Sequence, residues 1–275
     1  MTVLTHTRPD FHAAREKLDG PVALVPTMGA LHDGHLALID AARQHAQSVI
    51  VTIFVNPLQF GPTEDLGKYP RTLDADLARC EASGVDLVWA PANDDVYLGG
   101  PAKVRVDPGP FAVELEGAFR PTHFAGVLTV VAKLFGVTRP AIAYFGEKDF
   151  QQLTLIRQMA ADLDLGVAVA GVPTVREPDG LALSSRNVFL SPKERERALV
   201  LSRALRAGAD AATGGPEAAV AAGWAMLATE PSVAVDYFEL RGTDLGPAPS
   251  SGEARLLVAA KVGTTRLIDN IAVTL

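Results

Sequence analysis

The sequence predicts an α/β protein, a parallel sheet with helices on both faces, followed by a smaller α+β region. Three observations lead there. Runs such as Val22-Ala23-Leu24-Val25 and Val49-Ile50-Val51-Thr52-Ile53-Phe54 are apolar at nearly every position, as strands buried on both faces must be. Amphipathic segments of helical period separate such runs over the first two thirds of the chain. Past about residue 175 the alternation gives way to two helical segments and then three strand-like runs.

Taken in order, strands are expected at 22–26, 49–54, 86–89, 141–145 and 167–172, and helices at 10–18, 35–47, 73–82, 124–136 and 149–162. The break from Pro173 to Asp179 divides the chain into expected domains of 1–174 and 175–275. Beyond it, Ser191-Pro192-Lys193-Glu194 supplies an N-cap, a first-turn proline and a capping-box glutamate. The helix it opens should reach about Ala207 and stop before Gly208. A second helix, about 216–229, follows Gly214-Gly215, and 233–240, 255–261 and 266–273 read as strands. Val262-Gly263-Thr264 looks like the turn of a final hairpin.

Composition narrows the function classes. The chain has 275 residues, 48% apolar and 21% charged, an ordinary globular balance. A net charge of −7 argues against a nucleic-acid partner, which needs clustered Lys and Arg. The single cysteine rules out an intrachain disulfide and fits a reducing compartment. Cys80, in helical register with Leu73 and Leu77, reads as a small core residue. There is no run of 18 apolar residues and no apolar leader, so no membrane association and a cytoplasmic location are expected.

The most informative stretch is Pro26-Thr27-Met28-Gly29-Ala30-Leu31-His32-Asp33-Gly34-His35. It joins the first long strand to a helix, so His32 and His35 fall on one face of that helix's first turn. Unpaired backbone N–H groups and the helix dipole favour an anion there. Gly29 and Gly34 let the backbone approach it. Neutral imidazoles are expected when no anion is present, with bound phosphate drawing them toward protonation. Zinc is disfavoured, because two histidines and Asp33 with one distant thiol make an incomplete ligand set.

Four further polar segments stand where loops are expected. Asn56-Pro57-Leu58-Gln59-Phe60-Gly61-Pro62 begins a connection to Pro70 that is longer than most, which suits a lid or binding loop. Gln59 offers a donor and an acceptor. In Arg120-Pro121-Thr122-His123, Arg120 and His123 are candidates to face an anion, and Thr122 reads as the next helix's N-cap. In Gly146-Glu147-Lys148-Asp149-Phe150-Gln151-Gln152, Asp149 and Gln152 form a capping-box pattern. That pattern leaves Lys148 at the positive end of a helix, unfavourable unless an anion arrives. The fourth segment, Leu183-Ser184-Ser185-Arg186-Asn187 after Arg176-Glu177-Pro178-Asp179-Gly180, reads equally as a phosphate binder or a solvated linker.

In this order and spacing, PTMGALHDGH, FVNPLQF, YPRT, RPTHFAGVLTVV, FGEKDFQQL, VPTVREPDGLALSSRN and LLVAAKVGTTRLIDN closely resemble the pantothenate synthetase (pantoate–β-alanine ligase) family over nearly the whole chain. The resemblance implies a Rossmann-like domain with a smaller C-terminal domain covering the active site, in a cytoplasmic homodimer. It implies ATP-dependent condensation of pantoate with β-alanine, through pantoyl adenylate, releasing AMP and pyrophosphate, with Mg²⁺ on the phosphates. By matching position, Met28, Gly29, Ala30, Leu31, His32, Asp33, Gly34 and His35 would hold ATP, with His35 as proton donor. Gly146, Glu147, Lys148, Asp149, Val175, Leu183, Ser184, Ser185 and Arg186 would line the same ligand. Lys148 and His32 would join His35 in catalysis, while Gln59 and Gln152 would bind pantoate and Gln59 also β-alanine. Asn56, Arg120 and His123 match positions near the pocket. Two departures stand out: Leu183 where methionine is usual, and Ala75 where an acid is common, leaving Asp76 as a candidate near magnesium or as a helix-first-turn carboxylate. The alternative is another HxGH nucleotidyltransferase acting on a different small acid or phosphate ester.

Overall fold

Successive residues of a strand face opposite sides of a sheet, and both sides of the first sheet here are apolar. Val22 and Leu24 join one core with Ile50, Leu87, Trp89, Ala143 and Phe145. Ala23 and Val25 join the other with Val49, Val51, Val88 and Tyr144. The computed structural model describes residues 1–61 and 66–275. They group into two units, residues 1–147 with 152–173 and residues 148–151 with 174–275.

The first unit contains β1 (Val3–Thr5), α1 (Arg8–Arg15), β2 (Val22–Thr27), α2 (Asp33–His45), β3 (Ser48–Ile53), α3 (Leu73–Ala82), β4 (Leu87–Trp89), α4 (Asn93–Val96), α5 (Glu116–Phe119), α6 (His123–Thr138), β5 (Ile142–Gly146), most of α7 (Phe150–Asp162) and β6 (Ala168–Val172). The sheet runs β1-β4-β3-β2-β5-β6 with every pairing parallel. Its order reverses between β2 and β5, the switch point beyond whose carboxyl ends such sheets bind ligands. Pro26 sharpens this feature. The β2–β5 ladder pairs only Ala23 with Ile142 and Leu24 with Ala143, ending before a proline that has no N–H to donate. Across the other edge β2 stays paired with β3 as far as Thr27.

β1 is not foreseen by the sequence pattern. Three residues carry no readable period, and their partners Leu87 to Trp89 lie far along the chain. α1 starts two residues early because the Thr7 side chain accepts from Asp10 N and Pro9 occupies its first turn. The segment expected as one loop over 56–70 contains short 3₁₀ turns at Pro57–Gln59 and Leu66–Lys68. Its middle, Pro62 included, lies outside the described residues. Cys80 is buried in the α3 core, and burial pushes its thiol up to about 12, so it is inert packing.

The second unit pairs α8 (Pro192–Asp210) and α9 (Pro216–Leu227) with an antiparallel sheet of β7 (Val233–Gly242), β8 (Glu253–Val262) and β9 (Thr265–Thr274). Leu201, Leu205, Ala219, Phe238, Leu256 and Val258 form its core. The Ser191–Glu194 capping box is present, and the final hairpin turns at residues 263–264. The expected stop before Gly208 is corrected: α8 continues through it to Asp210. A Cβ at 208 would lie 2.7 Å from Leu256 Cδ1 and 2.9 Å from Ala219 O, so this glycine permits close helix and sheet packing.

Gly126 of α6 has a similar role in the first unit. A Cβ there would fall 2.1 Å from Leu58 O and 2.7 Å from Gln59 N, inside the Pro57–Gln59 turn. Gly126→Ala must push that turn off the helix, and overpacking of this kind costs about 1–3 kcal/mol. A lowered Tm in thermal unfolding is the expected outcome. An unchanged Tm would show that the turn yields freely.

Candidate active site

The connection from β2 to α2 doubles back through two left-handed residues, Gly29 (φ +83°) and Ala30 (φ +51°). For a non-glycine residue that conformation costs roughly 1–2 kcal/mol, so something must hold it. Asp76 of α3 does. Its Oδ2 accepts from Ala30 N at 3.0 Å, its Oδ1 accepts from Leu31 N at 2.7 Å, and Thr72 Oγ1 donates to Oδ2 at 3.2 Å. The carboxylate is 2% exposed, and hydrogen bonds to a charged acceptor offset its desolvation. Both oxygens of Asp76 thus face backbone N–H groups, which gives this first-turn carboxylate of α3 structural partners. Among the described residues no group of three or more His, Cys, Asp or Glu is placed to hold a metal ion.

The turn delivers the chain into a reciprocal cap on α2. His32 Nδ1 accepts from Gly34 N, and His35 Nδ1 accepts from His32 N, both at 3.2 Å. The two rings lie 4.1 Å apart between centroids. A backbone N–H can only donate, so each Nδ1 must carry a lone pair and each neutral ring must carry its proton on Nε2. Protonation at Nδ1 would set two N–H groups against each other. This geometry sets both rings as Nε2–H donors.

A second cluster surrounds Gln59. Asn56, 1% exposed, donates Nδ2 to Gln59 Oε1 at 3.1 Å. Gln59 Nε2 lies 3.0 Å from Met28 Sδ, linking this cluster to the turn after β2. Arg120 and His123, expected to face an anion, here engage Gln59. Nδ1 of His123 lies 2.9 Å from Gln59 O, and Arg120 donates to His123 Nε2 at 3.0 Å and to Gln59 O at 3.4 Å. Arginine only donates, so His123 Nε2 accepts and Nδ1–H donates to the carbonyl. Thr122 occupies the N-cap position of α6 without a side-chain cap bond. Its φ of −100° and ψ of −6° are not the extended values a capping side chain needs.

Gly146 ends β5 beside the switch point, Glu147 follows it, and Gln152 is half-buried in the first turns of α7. Lys148 and Asp149 belong to the second unit. There Asn270 Nδ2 donates to Lys148 O at 2.8 Å, and the Arg255 guanidinium lies 4.3 Å from the Phe150 ring centroid. Lys148 Nζ is 4.0 Å from Asp149 Oδ2. Val175 and Leu183 pair across a small hairpin, with Leu183 N donating to Val175 O at 3.0 Å. The Ser184 hydroxyl accepts from Arg186 N and caps the 3₁₀ turn Ser185–Phe189, which leaves its proton to donate. Around that hairpin Arg195 binds Glu177 and Asp179, and Arg176 grips Asp269. A solvated linker would not carry these ties.

A doubly wound sheet with a His-x-Gly-His cap at its switch point, together with an α+β unit, defines an α/β protein of the HxGH class. A family model described as pantoate-beta-alanine ligase matches residues 3–272. A pantothenate synthetase from Salinispora arenicola is 59% identical over 278 aligned positions, covering 100% of this chain and 99% of that one. One from Nocardia farcinica is 64% identical over 254, covering 92% of this chain and 80% of its own. The solved pantothenate synthetase of Thermus thermophilus superposes with a TM-score of 0.92 at 46% identity, covering 98% of each chain. A pantoate-beta-alanine ligase from Francisella tularensis, solved with beta-gamma ATP and beta-alanine, superposes with a TM-score of 0.83 at 34% identity over 98% of this chain and 97% of that one. The chain belongs to the pantoate–β-alanine ligase family.

Asp76→Asn replaces one acceptor oxygen by a donor aimed at a backbone N–H. Losing a hydrogen bond to a charged group costs about 1.5–3 kcal/mol. Amide hydrogen exchange at Ala30 and Leu31 should therefore quicken about tenfold or more, while α8 stays as protected as before. Unchanged exchange at those two amides would remove Asp76 from its holding role.

Proposed function

We propose that this chain condenses pantoate with β-alanine in an ATP-dependent reaction that passes through pantoyl adenylate and releases AMP and pyrophosphate. The observation that carries this reading is the pair of neutral Nε2–H donors, His32 and His35, fixed at the anion-seeking start of α2. Membership of the ligase family supplies the substrates. The Francisella relative solved with beta-gamma ATP and beta-alanine supports the nucleotide and the amine.

A carboxylate is a poor acylating agent because its oxygen leaves badly. In the first step a pantoate carboxylate oxygen attacks the α-phosphorus, and the bond to the bridging oxygen breaks to expel pyrophosphate. In the second, the free amine of β-alanine attacks the acyl carbon, the C–O bond to AMP breaks, and a proton leaves the nitrogen. The chain's task is to orient the reactants and stabilise charge on the α-phosphate and the leaving group. His32 and His35 are assigned as donors to phosphate oxygens, and His35 acts as proton donor only once bound phosphate has drawn a second proton onto its ring, which gives up the cap bond to His32 N. Lys148 is a mobile positive charge, and Ser184, Ser185 and Arg186 are further donors. Met28 to Leu31, Asp33, Gly34, Gly146, Glu147, Asp149, Val175 and Leu183 line the nucleotide. Gln59 and Gln152 hold pantoate, and Gln59 also β-alanine, with Asn56, Arg120 and His123 holding Gln59.

Mg²⁺ would be held mainly by the ATP phosphates and would supply counter-charge there. The chain is further proposed to work as a cytoplasmic homodimer. Family membership supports the dimer, and among the described residues no helix is long and apolar enough to cross a membrane.

Incubation with ATP, Mg²⁺, pantoate and β-alanine should yield AMP, pyrophosphate and pantothenate in equal amounts. ADP would indicate an acyl-phosphate route, and a stable nucleotide-linked product a nucleotidyltransferase; either would overturn the reading. His35→Ala should slow adenylate formation by roughly 10²–10³-fold in rapid-quench single-turnover measurements, the usual effect of losing one transition-state donor. A wild-type adenylation rate in that variant would remove His35 from the chemistry.

A further inference from the structure

Tyr97, the residue after α4, has no part in the roles assigned so far, yet it ends a chain of buried hydrogen bonds leading to Gln59. It is 5% exposed, and its hydroxyl lies 2.6 Å from Asn56 Oδ1. The other neighbours of Asn56 leave its polarity no freedom. Leu58 N lies 3.3 Å from one amide atom of Asn56 and can only donate, so that atom is the oxygen. Gly126 O lies 3.2 Å from the other and can only accept, so that atom is the nitrogen. Tyr97 O–H must then donate to Oδ1. Asn56 Nδ2 must donate to Gln59, and the Gln59 atom facing it must be Oε1. The outer end of the Gln59 amide is consequently its NH₂, which among the described residues meets a weak acceptor, Met28 Sδ, at 3.0 Å.

We propose that Tyr97 is a positioning residue which anchors the Asn56 amide, whose polarity its backbone neighbours set, and so holds Gln59 in place to meet the substrate as a hydrogen-bond donor. A donor there suits a carboxylate or hydroxyl oxygen, the groups pantoate carries. The inference rests on the function proposed above, which places the acid at Gln59. Two features keep Tyr97 in this role. Burial pushes its hydroxyl up to about 12, so it remains a donor through the physiological range. Its ring is held by Lys133, whose Nζ lies 5.5 Å from the centroid, and by Phe54, with centroids 6.1 Å apart. Gln59 cannot escape by moving its main chain, because His123 and Arg120 hold its carbonyl.

The test compares wild type, Tyr97→Phe, Gln59→Glu and the double variant in steady-state AMP release. Tyr97→Phe keeps the ring and removes only the donor, so the KM for pantoate should rise about three- to tenfold, the worth of one neutral hydrogen bond. The KM for ATP should stay put. Packing damage alone would instead lower Tm and the active fraction, reducing kcat without moving either KM. Gln59→Glu removes the NH₂, so adding Tyr97→Phe to it should raise the pantoate KM no further. If Tyr97→Phe does not fold, Asn56→Asp supplies the second arm. A carboxylate there should draw the Gln59 NH₂ inward and raise the pantoate KM alone. An unchanged pantoate KM in the variant measured, or full additivity with Gln59→Glu, overturns the inference. Absence of AMP from the wild type with all substrates would instead reject the proposed function itself.

Discussion

Two backbone N–H groups, those of Ala30 and Leu31, point at one buried carboxylate, and the order of the first unit's candidate site follows from that contact. Asp76 acts as a built-in anion for a turn whose left-handed residues would otherwise be strained without compensation. With the turn held, the chain enters α2 at an angle that lets His32 and His35 cap each other's backbone. With Pro26 ending the β2–β5 ladder early, the same turn lies beside the switch point of the sheet. Each feature is modest in energy alone. Together they place a helix start, with its dipole, where doubly wound sheets bind ligands.

Backbone groups also set the chemistry of the side chains. The donors Gly34 N and His32 N leave the two imidazoles no choice of tautomer. Leu58 N and Gly126 O leave Asn56 no choice of amide orientation, and Asn56 passes that constraint to Gln59. Main-chain N–H and C=O cannot exchange roles, so side chains bonded to them have fixed polarity before any substrate binds. This is preorganisation in a literal sense, since no reorientation remains to be done at the moment of reaction.

In the second unit, buried ion pairs and amides do the equivalent work. Arg176 with Asp269, and Asn270 with the Lys148 carbonyl, tie the 148–151 segment and the 175–183 hairpin to the closing strand β9. The polar LIDN stretch near the end of the sequence thus has a structural reason. Its Asp269 and Asn270 are 4% and 3% exposed, burial that these groups tolerate only because they are paired.

Much of this could be read from the chain alone. The both-faced apolar strands, the Ser191 capping box, the turn at Gly263 and the His-x-Gly-His helix start depend on residues within a few positions of one another, and local physics decides them. What could not be read depends on partners distant in sequence. β1 needs Leu87, Ala30 and Leu31 need Asp76, 46 and 45 residues away, and Asn56 needs Tyr97, 41 residues away. Gly208 resembles a helix stop until Leu256 and Ala219 occupy the space beside it. Periodicity and caps state what a segment will form, but a hydrogen-bond partner or a close approach exists only once the chain has folded back on itself.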